Sequence, residues 1–376
     1  MKVAAIVTVA TLAVSAAELN GPNARFVVHE WGTFTSVAGD DGEPVPWAPL
    51  FGAPDLPCFV DRLPMVLGKW QLSGLVRMET PVLYFYTPRA LTLSVHVDFP
   101  QGLITEWYPR ASKAGPTSFA SAGTVYRNGR IEWNDVNVLP GEKLDFPSSI
   151  GASRYYAARE TDSAPLRLGD EQEKLIFYRG VGNFSPPLRP RFESDGRLEI
   201  RNAGGEPVPL AILFDSHGGR MGYRLVRGIK DSVTLDPPAL TPNFDELRQD
   251  LTVALAEFGL YAKEAAAMVE TWRDSWFEEG TRVLYIMPMR QVDGILPLNV
   301  NPAPDETTRV FVGRVELLSP ATKQALQDAV DRWDQPALEK YGRFLSLFAK
   351  RLSLRGTTLQ DAMRTLARSS VKICIQ

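Results

Sequence analysis

From Arg25 to about Leu235 the chain is a succession of short strand-like runs separated by turn residues, and it contains no helix-length segment with helical periodicity. Two turns carry a strong hairpin signal, because Asn128-Gly129 and Asp195-Gly196 supply the positive φ angles that two-residue turns require. Further strands are predicted at 25–37, 75–86, 91–98, 103–109, 153–160, 174–179, 208–214 and 222–228. The pattern predicts an antiparallel β-sandwich region over residues 18–238, as one large sandwich or two smaller ones.

After Asp236 the hydrophobic spacing becomes helical, and Ser319-Pro320 has the cap and proline that begin many helices. Two strand-like runs, 282–286 and 308–317, are too few for a sheet of their own. We expect them to pair with each other and either pack on the helices or extend the N-terminal sheet. The fold class is therefore α+β, with residues 239–376 as a mainly helical region packed on the sheet and helices at 243–257, 262–278, 320–333, 336–352 and 358–368.

Residues 1–17 have the pattern of a secretory signal peptide. Lys2 precedes an apolar run from Val3 to Val14, and small residues follow, with cleavage expected near Ala16 or Ala17. An uncleaved N-terminal anchor is the competing interpretation. No later apolar stretch reaches the roughly 18 residues of a transmembrane helix. We therefore expect an exported protein, periplasmic or extracellular, with no membrane span in the mature chain.

The charge balance argues against a nucleic-acid partner. The chain has 41 Lys+Arg and 44 Asp+Glu, and no run of basic residues concentrates positive charge locally. Its two cysteines, Cys58 and Cys374, lie near the two ends of the mature chain. In an oxidising compartment they either form one disulfide or remain two buried thiols, and the sequence does not choose between these.

The most readable enzyme motifs are absent from the sequence: it has no G-x-S-x-G, no P-loop, no G-x-G-x-x-G after a strand and no C-x-x-C. His29-Glu30 imitates the start of H-E-x-x-H, but Thr33 replaces the second histidine and the run has strand character. On a regular strand His29 and Glu30 point to opposite faces unless a bulge intervenes, and Gly32 is a candidate position for one.

A metal site is one hypothesis for the run 91–98, in which apolar residues alternate and leave His96 and Asp98 on the other face. A three-residue loop after Phe99 would pair His96 with Glu106, and a two-residue loop would pair it with Thr105. The first register gathers the possible ligands of a divalent metal, with a fourth from the first strand: His96, Asp98, Glu106 and His29. The competing interpretation is a half-exposed histidine among charged neighbours on a solvated face. No other cofactor is predicted.

A second hypothesis concerns carboxylates, since glycosidic cleavage needs one protonated and one ionised carboxyl group flanking the bond. The candidate catalytic residues are Glu30, Glu79, Glu106 and His96, and the candidate sugar-stacking rings are Trp31, Tyr84 and Trp107. The structural alternative pairs Glu30 with an arginine beside a packed Trp31, and pairs Glu79 with Arg77.

A helix over 262–278 would carry two stripes. Trp272 and Trp276 lie on one face and are expected to pack on the sheet, while the acidic Glu270, Asp274 and Glu278 lie on another and are expected to be solvated.

Four segments carry a resemblance: His29–Thr35 (HEWGTFT), Met78–Val82 (METPV), Phe177–Phe184 (FYRGVGNF) and Thr271–Gly280 (TWRDSWFEEG). They resemble segments of a group of large, signal-peptide-bearing bacterial proteins of unknown function. The resemblance spans most of the mature chain and implies export and a single structural unit.

The missing catalytic motifs and the sandwich favour a non-catalytic binding or scaffold protein of the cell envelope, whose partner would be an envelope polymer, a carbohydrate or a protein. The alternatives are a secreted hydrolase of carbohydrate or another envelope polymer that uses paired carboxylates, and the histidine-carboxylate metal site.

Overall fold

The computed structural model describes residues 25–51, 55–63, 72–116, 127–149, 153–241 and 244–369. The expected signal peptide and Cys374 lie outside these ranges, and Cys58 is disulfide-bonded.

The described strands, in chain order, are β1 Val27–Val37, β2 Asp61–Arg62, β3 Val76–Tyr86, β4 Leu91–Phe99, β5 Gly102–Tyr108, β6 Lys113–Gly115, β7 Gly129–Val138, β8 Leu166–Leu168, β9 Glu171–Glu173, β10 Ile176–Gly182, β11 Leu188–Phe192, β12 Leu198–Asn202, β13 Val208–His217, β14 Arg220–Ile229, β15 Ser232–Leu235, β16 Gly280–Ile286, β17 Leu298–Asn301 and β18 Glu306–Leu317. The described α-helices are α1 Asp245–Glu257, α2 Ala262–Trp276, α3 Met289–Ile295, α4 Pro320–Asp331, α5 Gln335–Glu339, α6 Leu345–Arg351 and α7 Thr357–Ser369.

The mixed α+β class is confirmed, with several sheets. The largest has nine strands in the order β14-β13-β16-β18-β1-β3-β10-β5-β2. The two late strands, β16 and β18, pair with each other and lie between β13 and β1, inside the large sheet. The described strand pairs are antiparallel except β1 with β18, which is parallel over the whole of β1. Strands from both sides of residue 238 thus alternate in one sheet.

The large sheet is the middle layer of the molecule. Its first face shares one apolar cluster with a smaller sheet of order β17-β4-β7-β8-β9, in which β6 also pairs β7. Its second face packs against α1 and α2, where Trp31 and Phe177 of the sheet meet Met268 and Trp272 of α2. A third cluster, around Trp47, gathers the last helices. Burial on both faces explains why every residue of β1, β3, β5, β10 and β16 is buried.

The predicted pairing of residues 91–98 with 103–109 is wrong. β4 belongs to the smaller sheet and β5 to the large one, so the chain crosses between the layers at Pro100-Gln101. The burial patterns give the reason: β4 alternates between core and solvent, whereas β5 is buried on both faces. His96 is therefore opposite Glu132 and Asn299, and opposite neither Glu106 nor Thr105.

Two other local predictions are corrected. Residues 154–159 form a 3-10 helix instead of a strand, with the Ser153 side chain accepting a hydrogen bond from the Tyr155 backbone N–H. The predicted helix 336–352 is divided into α5, a 3-10 turn at Gly342–Phe344 and α6, because Gly342 takes a φ of 46°. The predicted start at Ser319 is confirmed, since its hydroxyl caps α4.

Within the described ranges, no helix has both the length and the apolar character needed to cross a membrane.

Gly180 tests the packing of the large sheet. A Cβ there would lie 2.3 Å from the backbone oxygen of Leu103 on β5, and a backbone atom of a paired strand cannot easily move away. We expect Gly180→Ala to lower the free energy of unfolding by about 1–3 kcal/mol in urea titrations. Gly294→Ala, in α3 with open space around the new methyl group, is the control and should be neutral or slightly stabilising. Equal losses in both variants would contradict the close approach.

Candidate functional site

A cleft of about 820 Å³ opens on the α2 side of the large sheet. Its walls come from β3, β10, the 3-10 helix at 154–159, α2 and the Gly342-Arg343 turn. The volume lies within the range of about 300–1,000 Å³ that is typical of small-molecule sites. The wall combines apolar rings with charged side chains, which makes this cleft the candidate functional site.

Strand irregularities direct polar side chains into the cleft. The register shifts between β1 and β3, between β3 and β10, and between β10 and β5 lie at the same level of the sheet. Thr80 lies in the irregular part of β3 with a φ of 46°. Beyond it Val82 and Tyr84 face α2, and before it Arg77 and Glu79 line the cleft. The bulge therefore changes the alternation of β3 and turns Glu79 toward the cleft.

Glu79 forms the central ion pair of the cleft. Arg343 donates from Nη1 and Nη2 to the two carboxylate oxygens at 2.9 and 2.8 Å. Burial acts to raise the pKa of Glu79, but Arg343 and Arg77 outweigh it and lower the pKa to about 2. Glu79 is therefore ionised at neutral pH and accepts a bidentate pair, a geometry that suits arginine.

Asp55 and Arg179 form a second bidentate pair at the rim. The two guanidinium nitrogens of Arg179 lie 2.8 and 2.6 Å from the Asp55 oxygens, and Arg179 also donates to the Thr80 hydroxyl. Loss of solvent acts to raise the pKa of Asp55, but Arg179 outweighs it and holds the pKa well below its usual range.

Behind the cleft, Arg314 and Arg282 share the buried Glu316. Arg314 also pairs with Glu278 and donates to the Ser275 hydroxyl at 2.7 Å. Burial acts to raise the pKa of Glu316, but Arg282 and Arg314 outweigh it and lower the pKa. This cluster connects the C-terminal end of α2 with β16 and β18.

Arg77 differs from the other arginines of the cleft. It is 8% exposed, its Nη1 donates to the backbone oxygen of Pro49, and its Nε has no hydrogen-bond partner in the described chain. The nearest carboxylate oxygen to Nε, on Glu79, is 3.8 Å away, which is an ion-pair distance and no hydrogen bond. Burial and the neighbouring Arg179 lower the pKa of Arg77, against the opposite effect of Glu79 and Asp55.

The candidate catalytic glutamates do not converge on one cavity. Glu30 faces the opposite side of the sheet from Glu79, where it is fully buried and bonded to Tyr178 and Arg309. Glu106 is buried on β5 opposite Arg179 and accepts a hydrogen bond from Thr105. Of the three, only Glu79 lines the cleft.

The rings proposed to stack on sugars are buried. Trp31 and Tyr84 lie in the core beneath α2, and the Tyr84 hydroxyl donates to the Ala158 backbone oxygen. Trp107 packs in the core on the first face of the sheet. The aromatic residues that line the cleft are instead Phe51, Tyr155, Tyr156 and Trp272.

The histidines lie apart from the cleft. His96 is 3.0 Å from Asp98 and 3.5 Å from Glu132 on the smaller sheet, while His29 is buried 2.7 Å from Glu264 of α2. In the part of the chain that the structure describes, no group of three or more His, Cys, Asp or Glu residues is placed to hold a metal ion. The proposed ligands His96, Asp98, Glu106 and His29 are thus distributed over three places.

Three of the four distinctive sequence segments contribute to this cleft: METPV through Glu79 and Thr80, FYRGVGNF through Arg179, and TWRDSWFEEG through residues 271–278. The stripe prediction for α2 is confirmed for Trp272 and Trp276, which are buried. The acidic stripe is paired with arginines, since Arg154 bridges Glu270 and Asp274. Sequence reasoning missed Asp55, Arg179 and Arg343, and the FYRGVGNF segment was the available signal for Arg179.

Comparison with known proteins does not identify a family. No protein-family model matches the chain, and no curated protein matches it. Among solved structures it is similar to the yeast delta-COP-I mu-homology domain in complex with a Dsl1 WxWxV peptide, at 8% identity and a TM-score of 0.29, over 78% of this chain and 96% of that chain. A second structure of the yeast domain gives 8% identity and a TM-score of 0.26 over the same shares of the two chains. Similarities this weak carry no argument about function.

Replacing Glu79 tests the electrostatics of the cleft. Because the pKa of Glu79 falls from 4.5 to about 2 in the folded protein, its stabilising contribution is complete above about pH 5 and disappears as the pH falls toward 2. We expect Glu79→Gln to lower the free energy of unfolding by about 3–5 kcal/mol at pH 7, since a buried guanidinium loses its partner. The difference from the wild type should shrink between pH 5 and pH 2 in denaturant titrations.

The matched control is Glu257→Gln, which removes an exposed pair with Arg227. It should cost about 1 kcal/mol or less at pH 7. A Glu79→Gln effect that stays constant from pH 7 to pH 2 would contradict the lowered pKa.

Proposed function

We propose that this protein is an exported, non-catalytic binding protein of the cell envelope, and that its ligand occupies the cleft beside α2. The observation that carries the proposal is an open cleft of small-molecule size, lined by aromatic rings and arginines, in which Asp55 and Glu79 are held ionised in bidentate pairs. In this proposal the β-sandwich and the helical layer form the rigid scaffold, and an N-terminal signal peptide directs export.

The protonation state of the carboxylates favours binding over acid catalysis. A glycosidase needs one carboxyl group with a raised pKa as general acid. In the cleft, the pKa values of Asp55 and Glu79 are both lowered by arginines, against the effect of lost solvent. Glu30, the other candidate, lies on the opposite side of the sheet, bonded to Arg309. Neither of the two cleft carboxylates with a lowered pKa, Asp55 and Glu79, therefore suits the protonated general acid that the hydrolase alternative needs.

The mixed character of the wall favours a ligand with both an apolar and a polar part. Trp272 and Tyr155 offer apolar surface, and arginine side chains fix the orientation of polar groups. An envelope polymer fragment, a glycan or a peptide end of matching size has these properties.

The test is a binding screen by calorimetry with soluble peptidoglycan fragments, envelope oligosaccharides and short peptides. At least one class should bind the wild-type protein, and Arg343→Met should weaken that binding by about tenfold or more, because charged contacts contribute about 1.5–3 kcal/mol. Mass spectrometry after prolonged incubation should return the ligand unchanged.

A pair of tryptophan variants supplies the matched control. Trp272→Phe changes the wall of the cleft and should weaken binding, whereas Trp333→Phe alters a side chain that is 72% exposed and is not part of the wall. Binding that survives unchanged in both Arg343→Met and Trp272→Phe would contradict the proposed site. Conversion of the ligand would contradict the non-catalytic function.

A further inference from the structure

We propose that the outer edge of β14 pairs with β14 of a second copy of this chain, which makes the protein a two-fold symmetric dimer. The paired segment is residues 223–227, and the symmetry axis passes beside Leu225. The inference is independent of the ligand proposed for the cleft, because β14 ends the large sheet whereas the cleft lies against β3 and β10.

The first argument is an open edge of the nine-stranded sheet. β14 is the last strand at one end of that sheet, and its regular partner is β13 alone. Met221 exchanges two backbone hydrogen bonds with Thr241, so its N–H and C=O point away from β13. Because this orientation alternates along an antiparallel strand, the backbone groups of Tyr223, Leu225 and Arg227 also point outward. No residue of the described chain is hydrogen-bonded to these outward groups.

The second argument is that the edge lacks the usual protection against a further strand. Exposed edges are commonly blocked by free charged side chains, by proline or by a covering segment. The two arginines of the open segment are held by their own chain: Arg227 pairs with Glu257 of α1 at 2.8 Å. Arg224 donates to the backbone oxygen of Asp236. Between them Leu225 is 39% exposed, so the middle of the edge is apolar and accessible.

The third argument is that this surface is complementary to itself in charge. On the α1 side of β14 the Tyr223 hydroxyl donates to Asp250 at 2.7 Å, and no cation of the described chain pairs with Asp250. An antiparallel pairing centred on Leu225 places Arg227 opposite Tyr223 of the second copy, and so beside the carboxylate that this tyrosine contacts. Each copy thus offers a cation where the other has an uncompensated acid, and symmetry makes the contact twice.

The exposed apolar residues lie at the same axis. Leu225 falls directly opposite Leu225 of the second copy. Val253, which is 52% exposed, lies on the face of α1 that also carries Asp250 and Glu257. Because the axis is perpendicular to the joined sheet, α1 of both copies lies on the same side of it, next to the paired strands. The dimer therefore covers two apolar side chains that the single chain leaves in water.

The pairing is short. Thr241 occupies the edge beside Met221, and Gly228, with a φ of 67°, interrupts the regular strand after Arg227. The outward N–H and C=O groups of residues 223–227 give about six backbone hydrogen bonds between the copies. An interface of this extent is at the small end of specific interfaces, so the dimer should dissociate on dilution.

The dimer has a consequence for the proposed function, on which this one step rests. A two-fold axis perpendicular to the sheet turns the α2 side of both copies in the same direction, and the two clefts open on that side. A repeating envelope polymer is then held at two points, which increases its avidity without any new contact.

The experiment measures the molar mass of the mature chain by sedimentation velocity over about 1–200 µM. We expect the wild type to pass from monomer to dimer as its concentration rises. Leu225→Lys places two ammonium groups opposite each other at the axis and should raise the dissociation constant of the dimer tenfold or more. The control is Met289→Lys on α3, which changes a side chain that is 45% exposed elsewhere and should dimerise as the wild type does.

A cysteine variant tests the register. In an antiparallel pair centred on Leu225, the two Cα atoms at this position are about 5.5 Å apart, within the range of a disulfide. Leu225→Cys should therefore give a covalent dimer under mild oxidation, read by non-reducing electrophoresis. Arg220→Cys, at the turn end of β14, is the control. Its two copies would be about 33 Å apart and should remain uncrosslinked.

Two results would overturn the inference. In the first, the wild type remains a monomer over the whole concentration range, and the open edge is then available to an extended segment of another protein. In the second, a dimer forms but Leu225→Lys leaves it intact and Leu225→Cys does not crosslink, so the copies meet through another surface. Neither result affects the proposed function, because the calorimetric screen measures ligand binding in the cleft separately.

Discussion

The parallel pairing of β1 with β18 is the constraint on which the rest of the structure depends. It joins residues 27–37 to residues 306–316 near the middle of the large sheet. Because a parallel pair cannot be closed by a tight turn, the intervening chain must wrap around it, and both faces of the sheet become covered. The same pairing brings Arg309 beside Glu30 and places Arg314 behind the cleft. The pairing of β1 with β18 therefore helps to form both the core and the candidate site.

The buried charges are costly, and their distribution is informative. Removing ions from water costs several kcal/mol each, and well-packed apolar side chains often stabilise a fold at least as well. Glu30 pairs with Arg309, which also pairs with Asp293, and Glu173 pairs with Arg159. In the cluster beside α2, Arg343 and Arg179 form bidentate pairs with Glu79 and Asp55. These pairs border an open cleft, whereas Glu30 is fully buried on the other side of the sheet.

Backbone irregularity and helix breaks then determine which side chains reach the cleft. The bulge at Thr80 turns Glu79 toward α2, and Gly342, which lies beyond the end of α5 in a left-handed conformation, precedes the Arg343 that pairs with Glu79. Neither feature adds much apolar burial. Each places one charged side chain, Glu79 or Arg343, and these two side chains form the central ion pair of the site.

The sequence by itself determined the α+β class, the burial of the α2 tryptophans and the opposite directions of His29 and Glu30, because these follow from local periodicity. It also marked METPV, FYRGVGNF and TWRDSWFEEG, which meet at the cleft, without showing that they meet. Only the tertiary structure decided that β4 and β5 enter different sheets, that β16 and β18 insert beside β1, and that Asp55 and Arg343 complete the site. These are contacts between residues distant in sequence, and local pattern carries no information about which buried strand will be the neighbour of another.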